Sequence, residues 1–86
     1  MEVAYKKKAQ DDHAYWKEKG DLKIQRRISE LVNDICEHPF SGIGKPEPLK
    51  YELSGLWSRR ITRGHRIIYE VTGSGISIIS MKGHYQ

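Results

Sequence analysis

The chain has 86 residues, one cysteine and a formal net charge of +4. A chain of this length forms one domain, because either half alone would be too small to bury a core. No run approaches the roughly 20 apolar residues of a membrane span, and the first residues lack the order that marks a signal peptide. The single thiol, Cys36, excludes an internal disulfide and is typical of a reducing cytoplasm, where we expect the protein to act.

The positive charge is concentrated in the second half of the chain. Residues 1–39 contain as many acidic as basic residues, whereas residues 40–86 contain seven Lys or Arg against three Glu. Such a basic region fits a nucleic acid or an acidic protein segment as its partner. Ordinary solubilising charge is the alternative explanation of the same count.

The N-terminal part of the chain predicts a short strand followed by a helix. Residues 1–5 can form the strand, and residues 8–19 form a helix that Gly20 closes. We infer this helix from three residues at helical spacing, Ala9, His13 and Trp16. Tyr15 lies beside them.

A second helix is the clearest element of the pattern. Asp21 suits its N-cap, and Pro39 ends it because proline cannot continue the helical hydrogen-bond ladder. Val32 widens a stripe of apolar residues at helical spacing: Ile24, Ile28, Leu31 and Ile35. Two helices joined by a short connection should form an antiparallel pair that buries its stripes on a sheet.

A loop rich in glycine and proline, residues 39–48, follows the second helix. Glu47 lies between Pro46 and Pro48, which restrict the backbone on both sides of it. The sequence therefore predicts a carboxylate held in a defined position, although a surface loop with an incidental glutamate is the alternative.

The remaining residues predict a sheet. Residues 49–53 suit a short strand, and residues 56–62 and 66–72 suit two strands joined by a turn at Arg63-Gly64-His65. Residues 76–82 suit a further strand, with Ile76 and Ile78 on one face and Ile79 and Met81 on the other. Apolar residues on both faces indicate an interior strand. The predicted fold class is α+β, with two N-terminal helices packed on a twisted, mainly antiparallel sheet of four to five strands.

The hairpin of this sheet carries four arginines, and its alternation separates their side chains. Trp57, Arg59 and Ile61 should share one face, opposite Ser58, Arg60 and Thr62. So many arginines on a strand pair suggest that something anionic docks there.

The polar candidates for chemistry all lie in the basic half of the chain. They are Glu47, Lys50, Arg59, Arg60, Arg66, His84 and Tyr85. A carboxylate base, a guanidinium group and an imidazole or phenol acid are sufficient to cleave RNA without a metal or cofactor. The sequence has no Cys/His cluster at zinc spacing and no glycine-rich phosphate loop, so we expect no metal site.

Four motifs occur in order along the chain. Two residue pairs nearer the N-terminus, Asp11-Asp12 and Tyr15-Trp16, belong to the same overall pattern. The four motifs are Lys45-Pro-Glu-Pro-Leu-Lys50, Leu53-Ser-Gly-Leu-Trp-Ser-Arg-Arg-Ile-Thr62, His65-Arg-Ile-Ile-Tyr69 and His84-Tyr85. In these motifs the chain resembles the YoeB/Txe toxins, a branch of the RelE superfamily of bacterial toxin–antitoxin systems. The resemblance extends from about Asp11 to Tyr85. It implies a RelE-like fold and a toxin that cleaves mRNA in the ribosomal A site until an antitoxin inhibits it.

The resemblance also assigns roles to the candidate residues. It implies that Glu47 is the general base, that Arg66 stabilises the phosphate and that His84 is the general acid. Tyr85 corresponds to an aromatic residue of the same site. The basic residues expected to bind phosphate or ribosomal RNA are Lys50 and Arg60, with Arg59 beside them.

The expected partners follow from the same resemblance and from the basic region. They are the ribosome with its mRNA, an acidic antitoxin that is partly disordered alone, and a second copy of the chain; no membrane is expected. Two alternatives remain, a non-catalytic nucleic-acid-binding module and a sheet that mainly binds an acidic protein. The chain departs from the family pattern in its Lys6-Lys7-Lys8 run and in Gln86.

Overall fold

In a computed structural model, which describes residues 2–84, the chain forms one strand, then two helices, and then four further strands. The five strands form one sheet. The helices are α1, Lys7–Lys19, and α2, Leu22–Glu37. The strands are β1, Glu2–Tyr5; β2, Glu47–Pro48; β3, Trp57–Thr62; β4, His65–Thr72; and β5, Gly75–Ser80. Their order across the sheet is β1-β5-β4-β3-β2. Only the pair of β1 with β5 is parallel among these strands, so the predicted α+β, mainly antiparallel fold is confirmed.

Helix α2 forms as its sequence predicts. The Asp21 carboxylate accepts a hydrogen bond from the Ile24 amide at 3.0 Å, which satisfies one of the free N–H groups of the first turn. The helix ends two residues before Pro39. Its predicted apolar stripe is buried: Ile24, Ile28, Leu31 and Ile35.

Helix α1 buries a different set of residues from the one predicted. Gly20 closes it with φ of 71°, a left-handed conformation that glycine adopts without steric cost. Ala9 and Trp16 are buried as expected, but His13 is exposed, so its assignment to the buried face was wrong. The polar residue Asp12 is buried instead, because its carboxylate bonds to the chain that follows β5.

The core lies between the two helices and one face of the sheet. We call this face the inner face; on β3 and β4 it carries Arg59, Ile61, Ile67 and Tyr69. The opposite, outer face carries Ser58, Arg60, Arg66 and Ile68, so the predicted alternation along the hairpin is confirmed. The core is made of the following buried residues: Ala9, Trp16, Ile24, Ile28, Leu31, Ile35, Ile61, Ile67, Tyr69, Ile76, Ile78 and Met81.

The strand boundaries differ from the prediction at three places. Residues 51–53 form a 3-10 turn, and the strand that precedes β3 is the two-residue β2, which contains Glu47. Tyr51 has φ of 57°, which an extended strand does not allow. His65 belongs to β4, not to the turn, and β5 ends at Ser80. As predicted, β5 is an interior strand, because it lies between β1 and β4.

Neither helix in residues 2–84 combines the length and the apolar character that crossing a membrane requires.

Candidate functional site

Glu47 is fixed at the edge of the sheet by its pairing with β3. It lies opposite Ser58 in the antiparallel register and is exposed. Backbone hydrogen bonds hold the chain on either side, from the Arg60 amide to the Gly44 carbonyl at 2.7 Å and from the Leu49 amide to the Leu56 carbonyl at 2.8 Å. The backbone of Glu47 is therefore held in place, and its side chain extends from the outer face.

Glycine is required where this segment approaches β3. A Cβ on Gly44 would lie 2.7 Å from a Leu31 methyl carbon and 3.2 Å from the Arg60 carbonyl oxygen, and its φ is 78°. The next residue, Lys45, has φ of 53°, an uncommon value for a residue with a side chain. The path that leads to Glu47 is thus sterically constrained before the two prolines begin.

Arg66 shares the outer face with Glu47. Ser58 lies opposite both Glu47 and Ile68, so these three residues form a row across three strands. Arg66 lies two residues before Ile68 on β4, on the same face. Two strand spacings across and two residues along the strand separate the Glu47 and Arg66 Cα atoms by about 12 Å. A phosphodiester with its ribose can span the space between two such side chains.

The outer face also has buried donor groups without partners. The Ser58 Oγ atom and the Arg66 Nη1 atom are buried and make no hydrogen bond within residues 2–84. Arg60 lies directly opposite Arg66, and like charges in this position destabilise a strand pair. The Arg66 residue as a whole is half-buried, so an anion that contacts the accessible part of its guanidinium would offset the repulsion, and this face is suited to a phosphate.

The C-terminal tail, residues 81–84, runs beside Arg66. The Arg66 amide donates to the Gly83 carbonyl at 3.0 Å, and the Gly83 amide donates to Nδ1 of His65 at 3.0 Å. His84 follows directly and is exposed. Tyr85 lies outside the described residues. The structure therefore brings Glu47 and Arg66 to one face, with the tail that carries His84 alongside Arg66.

Arg59 does not belong to this face, and the prediction that it binds RNA was wrong. Its side chain is completely buried on the inner face, where RNA cannot reach it. The guanidinium donates to five acceptors: the Asp34 carboxylate, the Tyr69 hydroxyl, and the carbonyls of His38, Ser41 and Ile43. Sequence alternation alone gave the correct face, but the charge of the residue suggested exposure.

The Arg59 contacts organise the loop that precedes Glu47. Three of the five acceptors are carbonyls of residues 38–43, and the Tyr69 hydroxyl donates to a fourth, that of Pro39, at 2.7 Å. The hydrogen bond from Arg59 lowers the pKa of Asp34 below its usual value of 3.8. Burial raises the pKa of Tyr69, which keeps its hydroxyl protonated as a donor.

The two other predicted RNA-binding residues are accessible. Lys50 is exposed at the start of the 3-10 turn, and Arg60 is half-buried on the outer face. Next to Lys50, Tyr51 is 91% exposed and has a left-handed backbone conformation. This exposure could not be predicted, because residues 49–53 were expected to form a strand and a three-residue turn has no hydrophobic periodicity. Within residues 2–84, no group of three or more His, Cys, Asp or Glu side chains is arranged to hold a metal ion.

The comparison with protein families agrees with this arrangement. A model described as "YoeB-like toxin of bacterial type II toxin-antitoxin system" matches residues 5–85. This chain belongs to that family. Toxin YoeB of Escherichia coli strain K12 is 46% identical over 85 residues, which are 99% of this chain and 100% of the relative.

Solved structures extend the similarity to the fold. A YoeB/ParE toxin from Agrobacterium tumefaciens superposes with a TM-score of 0.93 at 39% identity, over 99% of this chain and 100% of that one. A YoeB–YefM complex from Staphylococcus aureus gives a TM-score of 0.88 at 37% identity, over 99% of this chain and 98% of that one. The RelE-like fold expected from the sequence is therefore the fold of this family member.

Proposed function

We propose that this toxin is an endoribonuclease that stops translation by cleaving mRNA on the ribosome. One observation carries the proposal: a carboxylate and an arginine share the outer face, where the arginine has a buried donor without a partner in residues 2–84. A base and an anion-binding group at this separation are what transphosphorylation of RNA requires. We place the activity in the cytoplasm, where ribosomes are found.

The reaction assigns one step to each residue. Glu47 takes the proton from a ribose 2′-hydroxyl, and the resulting oxygen attacks the adjacent phosphorus. A P–O2′ bond forms while the P–O5′ bond breaks, which leaves a 2′,3′-cyclic phosphate. Arg66 stabilises the additional negative charge of the transition state. His84 gives a proton to the departing 5′-oxygen, and Tyr85 is proposed as an aromatic residue of the same site.

Lys50 and Arg60 are proposed to bind phosphates of mRNA or ribosomal RNA. Both are accessible and lie on or beside the outer face, so they can neutralise a polyanion and release its counterions. Arg59 is not included, because its guanidinium is buried. We expect naked RNA to be cleaved poorly, since a protein of 86 residues offers little surface to hold a flexible strand in attack geometry.

An antitoxin is the proposed protein partner. The Staphylococcus aureus toxin of the comparison is described in a complex with YefM, and a further structure is described as a YoeB dimer. By similarity, we propose that this chain binds a cognate antitoxin and can associate with a second copy. An acidic segment that folds on binding would match the basic outer face.

Replacement of Glu47 by glutamine tests the assignment of the base. Glu47→Gln keeps the size of the side chain but removes its ability to accept the proton. We expect single-turnover cleavage on programmed ribosomes to fall by roughly 10²–10⁴-fold, the usual contribution of a positioned general base. Ribosome affinity should hardly change, because a carboxylate near phosphates contributes no attraction.

Glu52→Gln is the matched control, since Glu52 is an exposed carboxylate of the same basic half, in the 3-10 turn. It should cleave at the wild-type rate. Normal cleavage by Glu47→Gln would refute the assignment of the base. If the wild type binds ribosomes but leaves mRNA intact, the non-catalytic binding module becomes the better explanation.

A further inference from the structure

The C-terminal tail has no helix or strand of its own, yet its backbone is bonded at three consecutive residues. The Trp16 indole donates to the Met81 carbonyl at 2.9 Å, and Lys8 Nζ donates to the Lys82 carbonyl at 3.0 Å. Gly83 bonds to both His65 and Arg66. Residues far apart in sequence therefore fix the segment that immediately precedes His84.

Asp12 is the centre of the contacts on the side of α1. Its Oδ2 atom accepts from the Met81 amide at 2.9 Å and lies 3.3 Å from the Ser80 hydroxyl oxygen. Lys8 Nζ donates to the same carboxylate at 2.7 Å and to the Ser80 hydroxyl at 3.0 Å. We call Lys8 and Asp12 the clasp, because together they bond the end of β5 and the first two residues of the tail.

The clasp differs from the ion pair next to it on the same helix. Lys7 and Asp11 are also four residues apart and also form a 2.7 Å contact, but their side chains are 83% and 59% exposed. The Asp12 side chain is only 9% exposed. Burying a carboxylate is costly unless it is paired and hydrogen-bonded. The two neighbouring pairs thus have the same local geometry, and only the clasp is directed at the tail.

We propose that Lys8 and Asp12 are positioning residues that hold the C-terminal tail, and through it His84, beside Arg66 for proton delivery to the departing 5′-oxygen. This inference rests on the proposed function. It also gives a role to one residue of the Lys6-Lys7-Lys8 run. Neither residue of the clasp is expected to touch RNA.

The proposal predicts a defect confined to one step of the reaction. When the tail is loosened, Glu47 and Arg66 keep their positions on the paired strands, so activation of the 2′-hydroxyl and ribosome binding are unchanged. Protonation of the leaving group is lost in part, because a general acid that is misplaced by about 1 Å can lose roughly 10²-fold in rate. The cleavage rate should therefore fall while the affinity for the ribosome stays constant.

The experiment compares clasp variants with variants of the neighbouring pair. Asp12→Ala should slow single-turnover cleavage on programmed ribosomes by roughly 10- to 100-fold, and Lys8→Met by about threefold to tenfold. Asp11→Ala and Lys7→Met are matched controls and should cleave as the wild type does. Lys8→Met is included because Asp12→Ala could slow cleavage by unfolding the protein. In Lys8→Met the altered side chain is half exposed and Asp12 keeps its bond to Met81, so the fold should be retained.

A modified substrate separates proton delivery from general damage. In mRNA with a 5′-bridging phosphorothiolate at the cleaved position, the P–S bond breaks and the thiolate leaves without a proton. Both clasp variants should then cleave at nearly the wild-type rate. Clasp variants that match their controls on normal mRNA, or that stay slow on the sulfur substrate, would overturn the proposal.

Amide hydrogen exchange tests the clasp independently of activity. The Met81 amide should exchange faster in Asp12→Ala than in Asp11→Ala, because only the former removes its acceptor. If the wild type does not cleave mRNA at all, the proposed function fails, and this measurement still decides whether the clasp holds the tail. Equal exchange in the two variants would show that it does not.

Discussion

Arg59 and Arg60 are neighbours on β3, yet they lie in opposite environments. Arg59 points to the inner face and is completely buried, with five acceptors around its guanidinium. Arg60 points to the outer face, opposite Arg66, whose Nη1 atom is buried without a partner in residues 2–84. The same residue type therefore completes the structure on one face and leaves donors for a ligand on the other.

Under the proposed function, hydrogen-bond satisfaction and not charge distinguishes the structural arginine, Arg59, from the arginine proposed to bind phosphate, Arg66. Four arginines lie in the segment from Arg59 to Arg66, and their number suggested an anionic partner. One of them is fully occupied by loop carbonyls and a carboxylate. The hydrogen bonds of Arg59 offset the cost of burying its charge and hold the loop carbonyls in place, whereas a buried donor without a partner costs free energy until a ligand binds.

The largest expected effect is on the inner face. Arg59→Met should lower the free energy of unfolding by roughly 3–5 kcal/mol, because it leaves Asp34 and several loop carbonyls without their donor. Arg60→Met, one residue away, should change it by less than about 0.5 kcal/mol. Urea unfolding of both variants measures the difference. Similar losses in the two variants would mean that the Arg59 network contributes no more than surface charge does.

The second-largest expected effect comes from Gly42, which lies in the loop whose carbonyls accept hydrogen bonds from Arg59. A Cβ on Gly42 would collide with the Asp34 Oδ2 atom, and the residue has φ of 122°. Gly42→Ala should therefore displace the carboxylate from Arg59 and lower the free energy of unfolding by about 2 kcal/mol. Gly73→Ala is the control, since nothing lies within 4 Å of its Cβ position. The prediction fails if urea unfolding gives the same midpoint for both alanine variants.

Much of the fold could be predicted from the sequence, because it depends on local signals. The stripe and N-cap of α2 and the glycine that ends α1 are local, as is the alternation along β3. The burial of Asp12 and Arg59 could not be predicted in the same way. Both are charged residues that long-range contacts bury, with partners up to 69 positions away in sequence.

The candidate site shows the same division. Glu47, Arg66 and His84 came from a family resemblance, since no local pattern brings positions so far apart in sequence together. The pairing of β2 with β3 places Glu47 on the outer face, and the hydrogen bond to Gly83 brings the tail to Arg66. The exposure of Tyr51 and its positive φ could not be predicted, because a single residue of this kind leaves no trace in hydrophobic periodicity.

The smallest expected effect is on the outer face, where Arg60 and Arg66 repel each other. Arg60→Met alone should change the free energy of unfolding by less than about 0.5 kcal/mol at low salt, whereas Arg66→Met should raise it, because this variant removes the buried donor without a partner. In a double-mutant cycle with Arg60→Met and Arg66→Met, the coupling between the two arginines should be unfavourable by a few tenths of a kcal/mol, about the size of other exposed charge pairs.

Salt and a bound anion should both abolish this repulsion, because each screens or neutralises the two guanidinium groups. The cycle is therefore measured by urea unfolding at low and high salt, and again at low salt with a short oligonucleotide that carries no cleavable 2′-hydroxyl. The coupling should become zero or favourable when the oligonucleotide is present. On the inner face, the corresponding cycle of Arg59→Met with Asp34→Asn should give a favourable coupling that the oligonucleotide does not change. The comparison of the two faces would be wrong if the coupling between Arg60 and Arg66 were favourable without the oligonucleotide. It would also be wrong if the oligonucleotide left that coupling unchanged.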